Sequence, residues 1–163
     1  MQLLSSEEYG LRCLVRVASA TDQRPVSISQ IAEAEGLSPE YTAKLMRELR
    51  LGSLVESVRG AEGGYRLARP ADAITVWSAL GVLGGEFFPE SFCECHPGQR
   101  DQCVRSSDCS IRALWRKLKA ALQEALEGIT LADLLRDESA MGAWLDPIQL
   151  LPISNAPNQE AHV

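Results

Sequence analysis

Four of the five cysteines lie close together in the second half of the chain, at Cys93, Cys95, Cys103 and Cys109. Four thiols within 17 residues are typical of a metal or redox site, because a reducing cytosol disfavours disulfides. Their spacings, C-x-C, C-x7-C and C-x5-C, differ from the x2 to x4 spacing of structural zinc sites and favour an iron-sulfur cluster. Zinc in the same loop, or a thiol-rich loop without a metal, are the alternatives.

A second group of residues can donate hydrogen bonds to phosphates or base edges. It comprises Ser38, Tyr41, Thr42, Lys44, Arg47 and Arg50. Arg59 follows in a glycine-rich turn with Gly60 and Gly63, where an arginine can reach a narrow minor groove. Taken singly, these residues could belong to a solvated helix face and an ordinary turn. Their ordered combination favours DNA binding.

The elements that would hold this second group can be predicted from periodicity and capping signals. Apolar residues spaced by three and four predict a first helix over 5–20, in which Cys13 is a buried, inert thiol. Ser27 and Gln30 form a capping-box pattern for a short helix that stops at Gly36. Ser38 before a proline predicts a third helix over 39–51.

Residues 54–58 and 65–69 alternate apolar and polar side chains around the glycine-rich turn, which predicts a β-hairpin. Helix, turn, helix and hairpin in this order form a winged helix-turn-helix. Further helices are predicted over 74–83, over 110–127 with the strongest 3.6-residue stripe, and from 130 to about 137. The fold class is therefore mainly α with a small β-hairpin: a winged helix-turn-helix domain plus one long helix.

The length of 163 residues leaves room for about one domain with appendages. We predict a winged helix-turn-helix DNA-binding domain over 1–84 and a cysteine-rich cluster-binding loop over 85–109. The long helix and a following short helix occupy 110–138, and 139–163 is expected to be a flexible tail.

The net charge of −6 would by itself argue against a nucleic-acid partner. Residues 1–70 hold nine Lys/Arg and nine Asp/Glu, whereas residues 71–163 hold seven and thirteen. The acidic excess is thus confined to the second half, and the predicted DNA-binding half is neutral with room for local basic clusters.

Several classes of protein are disfavoured by what the sequence lacks. No apolar run approaches the length of a membrane span, and no secretory signal opens the chain, so we expect a cytoplasmic protein without membrane contact. Phosphate-binding loops, dinucleotide fingerprints, HExxH and nucleophile elbows are missing, and the histidines are His96 and His162. We therefore expect a protein that is not an enzyme; an electron-transfer iron-sulfur protein is the less favoured alternative.

From Met1 to about Asp137 the chain resembles the iron-sulfur cluster regulators of the IscR, NsrR and RsrR type, the Rrf-two superfamily. The resemblance rests on MQLLSSEEYGLR, on SPEYTAKLMRELRLGSLVESVRGAEGGYRLAR with its RGxxGGYxL wing, and on CVRSSDCSIRALW followed by ITLADLL. It implies a homodimeric transcription factor whose 110–127 helix is the dimerisation helix. It also implies that the state of a [4Fe-4S] or [2Fe-2S] cluster tunes the affinity for a double-stranded operator.

The resemblance also implies a set of ligands. Cys103 and Cys109 match the last two thiolates of the family, and Cys95 is favoured narrowly over Cys93 as the first. Some relatives use a histidine at the position of Arg112, which cannot ligate because it keeps its proton. Glu8 matches an acidic ligand that reaches across from the partner subunit, with Cys93 and His96 as alternatives. A weak carboxylate ligand would suit a sensor of redox state, nitric oxide or iron.

Overall fold

The computed structural model describes residues 3–20, 24–60 and 63–145, which form helices and one two-stranded antiparallel sheet. The predicted fold class, mainly α with a small hairpin, is confirmed. The elements in chain order are α1 (Ser5–Ala18), α2 (Ile28–Glu35), α3 (Pro39–Leu51), β1 (Val55–Val58), β2 (Gly64–Leu67), α4 (Val76–Gly84), α5 (Phe92–Cys95), α6 (Ser110–Glu127) and α7 (Glu138–Leu145).

The helix-turn-helix is formed by α2 and α3, and local signals set its boundaries. Ser27 and Gln30 form the expected capping box, in which the Ser27 N–H donates to Gln30 Oε1 at 2.9 Å. Gly36 ends α2 in the left-handed region, with φ of 67°, which favours glycine. Ser38 Oγ then accepts the Tyr41 N–H at 3.2 Å and caps α3.

The wing follows α3 directly. Strands β1 and β2 pair in a register that runs from Val55 opposite Leu67 to Val58 opposite Gly64. Val26, just before α2, exchanges two backbone hydrogen bonds of 2.9 Å with Tyr65. The wing is therefore attached to the helix-turn-helix on both sides.

One core lies beneath these elements. Its fully buried large side chains are Leu14, Ile31, Leu45, Met46, Leu49, Leu54, Ile74 and Leu131. Cys13 is also completely buried among them, as the sequence predicts. Gly10 of α1 lies directly against the Leu83 side chain of α4, where a Cβ atom would collide, so the two helices approach closely.

The chain returns to this core after α6. The Val76 N–H donates to the Ile129 carbonyl, and the Leu131 N–H donates to the Ile74 carbonyl, both at 2.8 Å. We call this pair of hydrogen bonds the α4–α6 bridge. Leu131 enters the core beside it. Asp133 Oδ2 accepts the N–H and the hydroxyl of Thr130, and these hydrogen bonds lower the pKa of Asp133.

The structure differs from the sequence prediction in three places. The short helix expected from 130 to 137 is a single 3-10 turn, Asp133–Leu135. The 85–109 loop contains the one-turn helix α5. The expected tail begins with α7, in which the Trp144 ring lies 4.9 Å from the Arg136 guanidinium; residues 146–163 lie outside the described part.

Among the described helices, none is both long and apolar enough to cross a membrane.

Thr42 corrects a further prediction. It was expected on the exposed face of α3, but its side chain is fully buried. Its spacing from Leu45, Met46 and Leu49 puts it on the helix face that packs on the core. In the described residues, Thr42 Oγ1 has no hydrogen-bond partner.

Replacing Thr42 by valine is therefore expected to stabilise the protein. Valine keeps the shape and removes an unsatisfied buried hydroxyl, which should raise the free energy of unfolding by about 1 kcal/mol. Urea unfolding followed by circular dichroism measures the change. Leu45→Ala is the control for core packing and should lower the same quantity by about 2–5 kcal/mol. A less stable Thr42→Val variant would contradict the prediction.

Candidate nucleic-acid interface and cysteine cleft

The solvent-facing side of α3 carries positive charge. Lys44, Arg47 and Arg50 are all exposed, and Ser38 is exposed at the start of the helix. The oxygen of Ser38 accepts the capping hydrogen bond, which leaves its own O–H free to donate. These exposed side chains could contact phosphates and base edges, whereas Thr42, which the sequence analysis places in the same set, is buried.

Tyr41 has a mixed environment. It is half-buried, and its ring meets the ring of Tyr9 edge to face with centroids 6.1 Å apart. Tyr9 also lies under the Arg12 guanidinium at 5.4 Å, and Arg12 forms an ion pair with Glu35 of α2 at 2.9 Å. Tyr41 therefore links the surface of α3 to α1 rather than standing free on the helix.

At the tip of the wing, Arg59 is exposed. Gly60 has a φ of 124°, a conformation that favours glycine. A Cβ atom on Gly63 would lie 2.8 Å from the carbonyl oxygens of Val58 and Gly60. Both glycines thus shape the turn that presents Arg59. Arg66 of β2, in contrast, is paired with Glu56 across the hairpin.

The predicted cluster ligands fall into two groups. Cys93 and Cys103, both partly exposed, line one cleft of about 630 Å³ beside α6. Arg112, Arg116 and Lys119 of α6 line the same cleft, as do the carboxylates of Glu90, Glu94 and Asp101. Cys95 is exposed at the end of α5 and is not among the residues lining this cleft.

Cys109 lies at the start of α6. Its sulfur accepts the Arg112 N–H at 3.4 Å, so it caps the helix at the end where the backbone dipole favours negative charge. The Arg112 guanidinium turns back and donates two hydrogen bonds of 3.1 Å to the carbonyl of Ser106.

The two non-cysteine candidates differ in their surroundings. His96 stacks on Phe92 with centroids 4.2 Å apart, and its Nδ1 lies 2.9 Å from the Phe92 carbonyl, which leaves Nε2 available. Glu8 is exposed on α1 near Arg12, and the charge of Glu8 contributes to the raised pKa of Arg12, after the larger effect of Glu35.

No three His, Cys, Asp or Glu side chains within the described ranges come together as a set that could hold a metal ion. The donor chemistry nevertheless fits an iron-sulfur cluster, because accessible thiols are the ligands that such clusters use. The cleft of about 630 Å³ that Cys93 and Cys103 line is large enough for such a cluster. A thiolate set can also bind zinc.

The long helix α6 has an unusual surface. It contains no buried residue, and three apolar side chains on one ridge, Ile111, Leu114 and Leu118, are between 40% and 54% exposed. Beside them, Leu3, Leu4, Trp77 and Trp115 line an apolar groove of about 760 Å³. The sequence predicts the ridge from its periodicity. The contribution of Leu3 and Leu4 has no comparable sequence signal.

The comparisons with known proteins agree with this architecture. The model of the Rrf2 family, described as an iron-dependent transcriptional regulator, matches residues 3–137. The chain is 37% identical over 139 residues to the protein Rrf2 of Nitratidesulfovibrio vulgaris, covering 85% of this chain and 90% of that protein. It is 33% identical over 141 residues to the transcriptional regulator IscR of Vibrio campbellii, covering 86% of this chain and 81% of that protein.

Solved structures show the same fold. The global cysteine regulator CymR of B. subtilis superposes with a TM-score of 0.65 at 31% identity, covering 83% of this chain and 96% of that chain. IscR of T. potens superposes with a TM-score of 0.65 at 34% identity, covering 88% of this chain and 90% of that chain. The fold and the matched regulators define the chain as a winged-helix transcriptional regulator that binds DNA, a class of protein that is not an enzyme. The chain belongs to the Rrf2 family.

The buried cysteine gives a direct test of the fold. Burial raises the pKa of Cys13 to about 11, so at pH 8 only about a thousandth of this thiol is ionised. In the metal-free, reduced protein at pH 8, iodoacetamide should modify the four accessible cysteines and leave Cys13 unmodified. Mass spectrometry of the peptides measures this. The same treatment in 6–8 M urea is the control and should modify all five; native labelling of Cys13 would contradict the prediction.

Proposed function

We propose that the chain is a homodimeric transcriptional regulator whose operator affinity is controlled by an iron-sulfur cluster held at the cysteine cleft. The observation that carries this proposal is the pairing of a winged helix with four accessible thiols in the segment from Cys93 to Cys109, which leads into α6. Family membership supplies DNA binding. The cluster, its ligands and the dimer are the proposed part.

In the DNA-binding half, we assign α3 to the major groove and the wing tip to the minor groove. Lys44 and Arg47 would contact base edges or phosphates, and Ser38 and Tyr41 would contact the sugar-phosphate backbone of the DNA. Arg59 would enter the minor groove. Gly60 and Gly63 would act by shaping the turn. Because the matched relatives are bacterial transcriptional regulators, we assign the protein to the cytoplasm, where bacterial operator DNA lies.

Around the cysteine cleft, we assign Cys95, Cys103 and Cys109 as thiolate ligands. Cys93 lines the cleft together with Cys103 and is the alternative to Cys95, which lies outside the lining. Glu8 of the partner subunit would be the fourth ligand, and His96 through Nε2 is the alternative. A bound cluster supplies a redox-active and nitric-oxide-reactive group. The protein residues would hold it beside α6, whose far end is attached to the core by the α4–α6 bridge.

The exposed ridge of α6 supports the dimer. Ile111, Leu114 and Leu118 leave a continuous apolar strip on a helix that buries no residue against its own chain. A second copy of α6 would cover this strip and fix the separation of the two α3 helices on the operator.

A regulator that senses through zinc or a thiol switch is the second candidate. The solved CymR structures favour it, because one is named a global cysteine regulator and another, from Staphylococcus aureus, is an oxidised form. The cleft that Cys93 and Cys103 line would then bind zinc or host a thiol-disulfide change instead of holding a cluster.

Purification without oxygen separates these candidates. The wild type and a Ser107→Ala control from the same loop should be brown, and native mass spectrometry should find iron and sulfide. Cys103→Ala should lose colour, iron and sulfide, because a thiolate ligand is missing. A colourless wild type that contains zinc, or no metal, would overturn the cluster and support the thiol-switch candidate.

The DNA interface can be tested on duplexes selected from a randomised pool. Arg47→Gln and Arg59→Gln should each weaken binding by about tenfold, because a charged contact is worth about 1–3 kcal/mol. Loss of a phosphate contact should also reduce the salt slope of log Kd by about one. Fluorescence anisotropy measures both quantities. Arg16→Gln, an exposed arginine of α1, is the control; equal losses in all three variants would contradict the assignment.

The dimer can be tested with one added charge on either side of α6. Leu114→Glu should convert the dimer into a monomer, because a carboxylate in an apolar interface is poorly solvated. Ala120→Glu adds the same charge on the opposite face of the helix and should leave the dimer intact. Light scattering with size-exclusion chromatography measures the mass. A Leu114→Glu dimer would place the interface elsewhere.

A further inference from the structure

We infer that Arg112 is a positioning residue for the cluster: it holds the loop between Cys103 and Cys109 in the shape that presents both thiols. This inference rests on the proposed function, since it concerns the same site. It gives a role to a side chain that cannot itself be a ligand.

The contacts of Arg112 connect the two cysteines. The Ser106 N–H donates to the Cys103 carbonyl at 3.0 Å, so the chain turns tightly after Cys103. The Ser106 carbonyl accepts both hydrogen bonds of the Arg112 guanidinium. The Arg112 N–H then donates to Cys109 Sγ. Ser106 and Arg112 thus complete a continuous path of contacts from one thiolate ligand to the other.

This path matters because the rest of the loop is loosely held. Val104 is 70% exposed, and residues 105–108 are exposed as well. Ordering a free loop around a cluster costs conformational entropy at the moment of binding. A guanidinium that already fixes the middle of the loop reduces that cost.

The geometry also explains why an arginine is suited to this position. Two nitrogens of one planar fork reach the same carbonyl, whereas a lysine offers one point of contact and a glutamine has a shorter reach. Arg116 lies one helical turn further along the same cleft, whereas both side-chain hydrogen bonds that the Ser106 carbonyl accepts in the described residues come from Arg112. We call the two hydrogen bonds from Arg112 to the Ser106 carbonyl the clamp. Replacing Arg116 removes a positive charge from the same cleft but leaves the clamp intact, so it is the matched control.

The first experiment uses the metal-free, reduced protein, so that its result does not depend on which metal binds. Hydrogen exchange followed by mass spectrometry compares the wild type with Arg112→Gln, Arg112→Lys and Arg116→Gln. Exchange of the hydrogen-bonded Ser106 amide, followed in peptides covering 103–109, should be about tenfold faster in Arg112→Gln, intermediate in Arg112→Lys, and unchanged in Arg116→Gln. Unchanged exchange in peptides of α2 and α3 shows that the fold is intact.

The second experiment follows the cluster in anaerobically purified protein. All variants should keep the wild-type visible spectrum, because no ligand is altered. Loss of absorbance in the presence of an iron chelator should be about tenfold faster in Arg112→Gln than in the wild type, with partial rescue in Arg112→Lys. Equal rates for Arg112→Gln and Arg116→Gln, or wild-type exchange and rates in every variant, would overturn the inference. A wild type without a cluster would instead overturn the proposed function, and the exchange experiment would still test the clamp.

Discussion

The two backbone hydrogen bonds of the α4–α6 bridge determine how the halves of this protein are joined. They lie beside Leu131, which is buried in the core, so they are shielded from water and stronger than exposed hydrogen bonds. The chain between residues 76 and 129, which these hydrogen bonds join, includes the cysteine loop and all of α6. Both ends of this long excursion are therefore fixed to the winged helix, and Lys119 in the middle of α6 is also paired with Glu86, just after α4.

Local signals explain why much of the fold could be predicted from the sequence. Ser27, Gly36 and Ser38 each act through the backbone of their own neighbourhood, and the structure places the helix boundaries at these residues. Thr42 shows the limit of residue type as a guide. Its hydroxyl suggests a surface role, but its place in the helical period is a core position.

The contacts that were not predicted join residues that are far apart, or depend on side-chain direction. The α4–α6 bridge pairs residues 74–76 with 129–131. No periodic pattern in the sequence predicts this pairing. The groove beside α6 includes Leu3 and Leu4, which precede the first helix. Arg112 was identified only as a position that cannot ligate; its contact with Ser106 depends on how the loop turns back over α6. Spacing alone also cannot show which of Cys93 and Cys95 faces the cleft.

The close approach of α1 and α4 at Gly10 has a mechanical consequence. With no side chain between the α1 backbone and Leu83, there is little free volume that rotamer changes could use to absorb a displacement. At this contact the two helices should therefore shift together. A displacement of α1, the helix that carries Glu8, would then be passed to α4, whose start is hydrogen-bonded to the segment after α6.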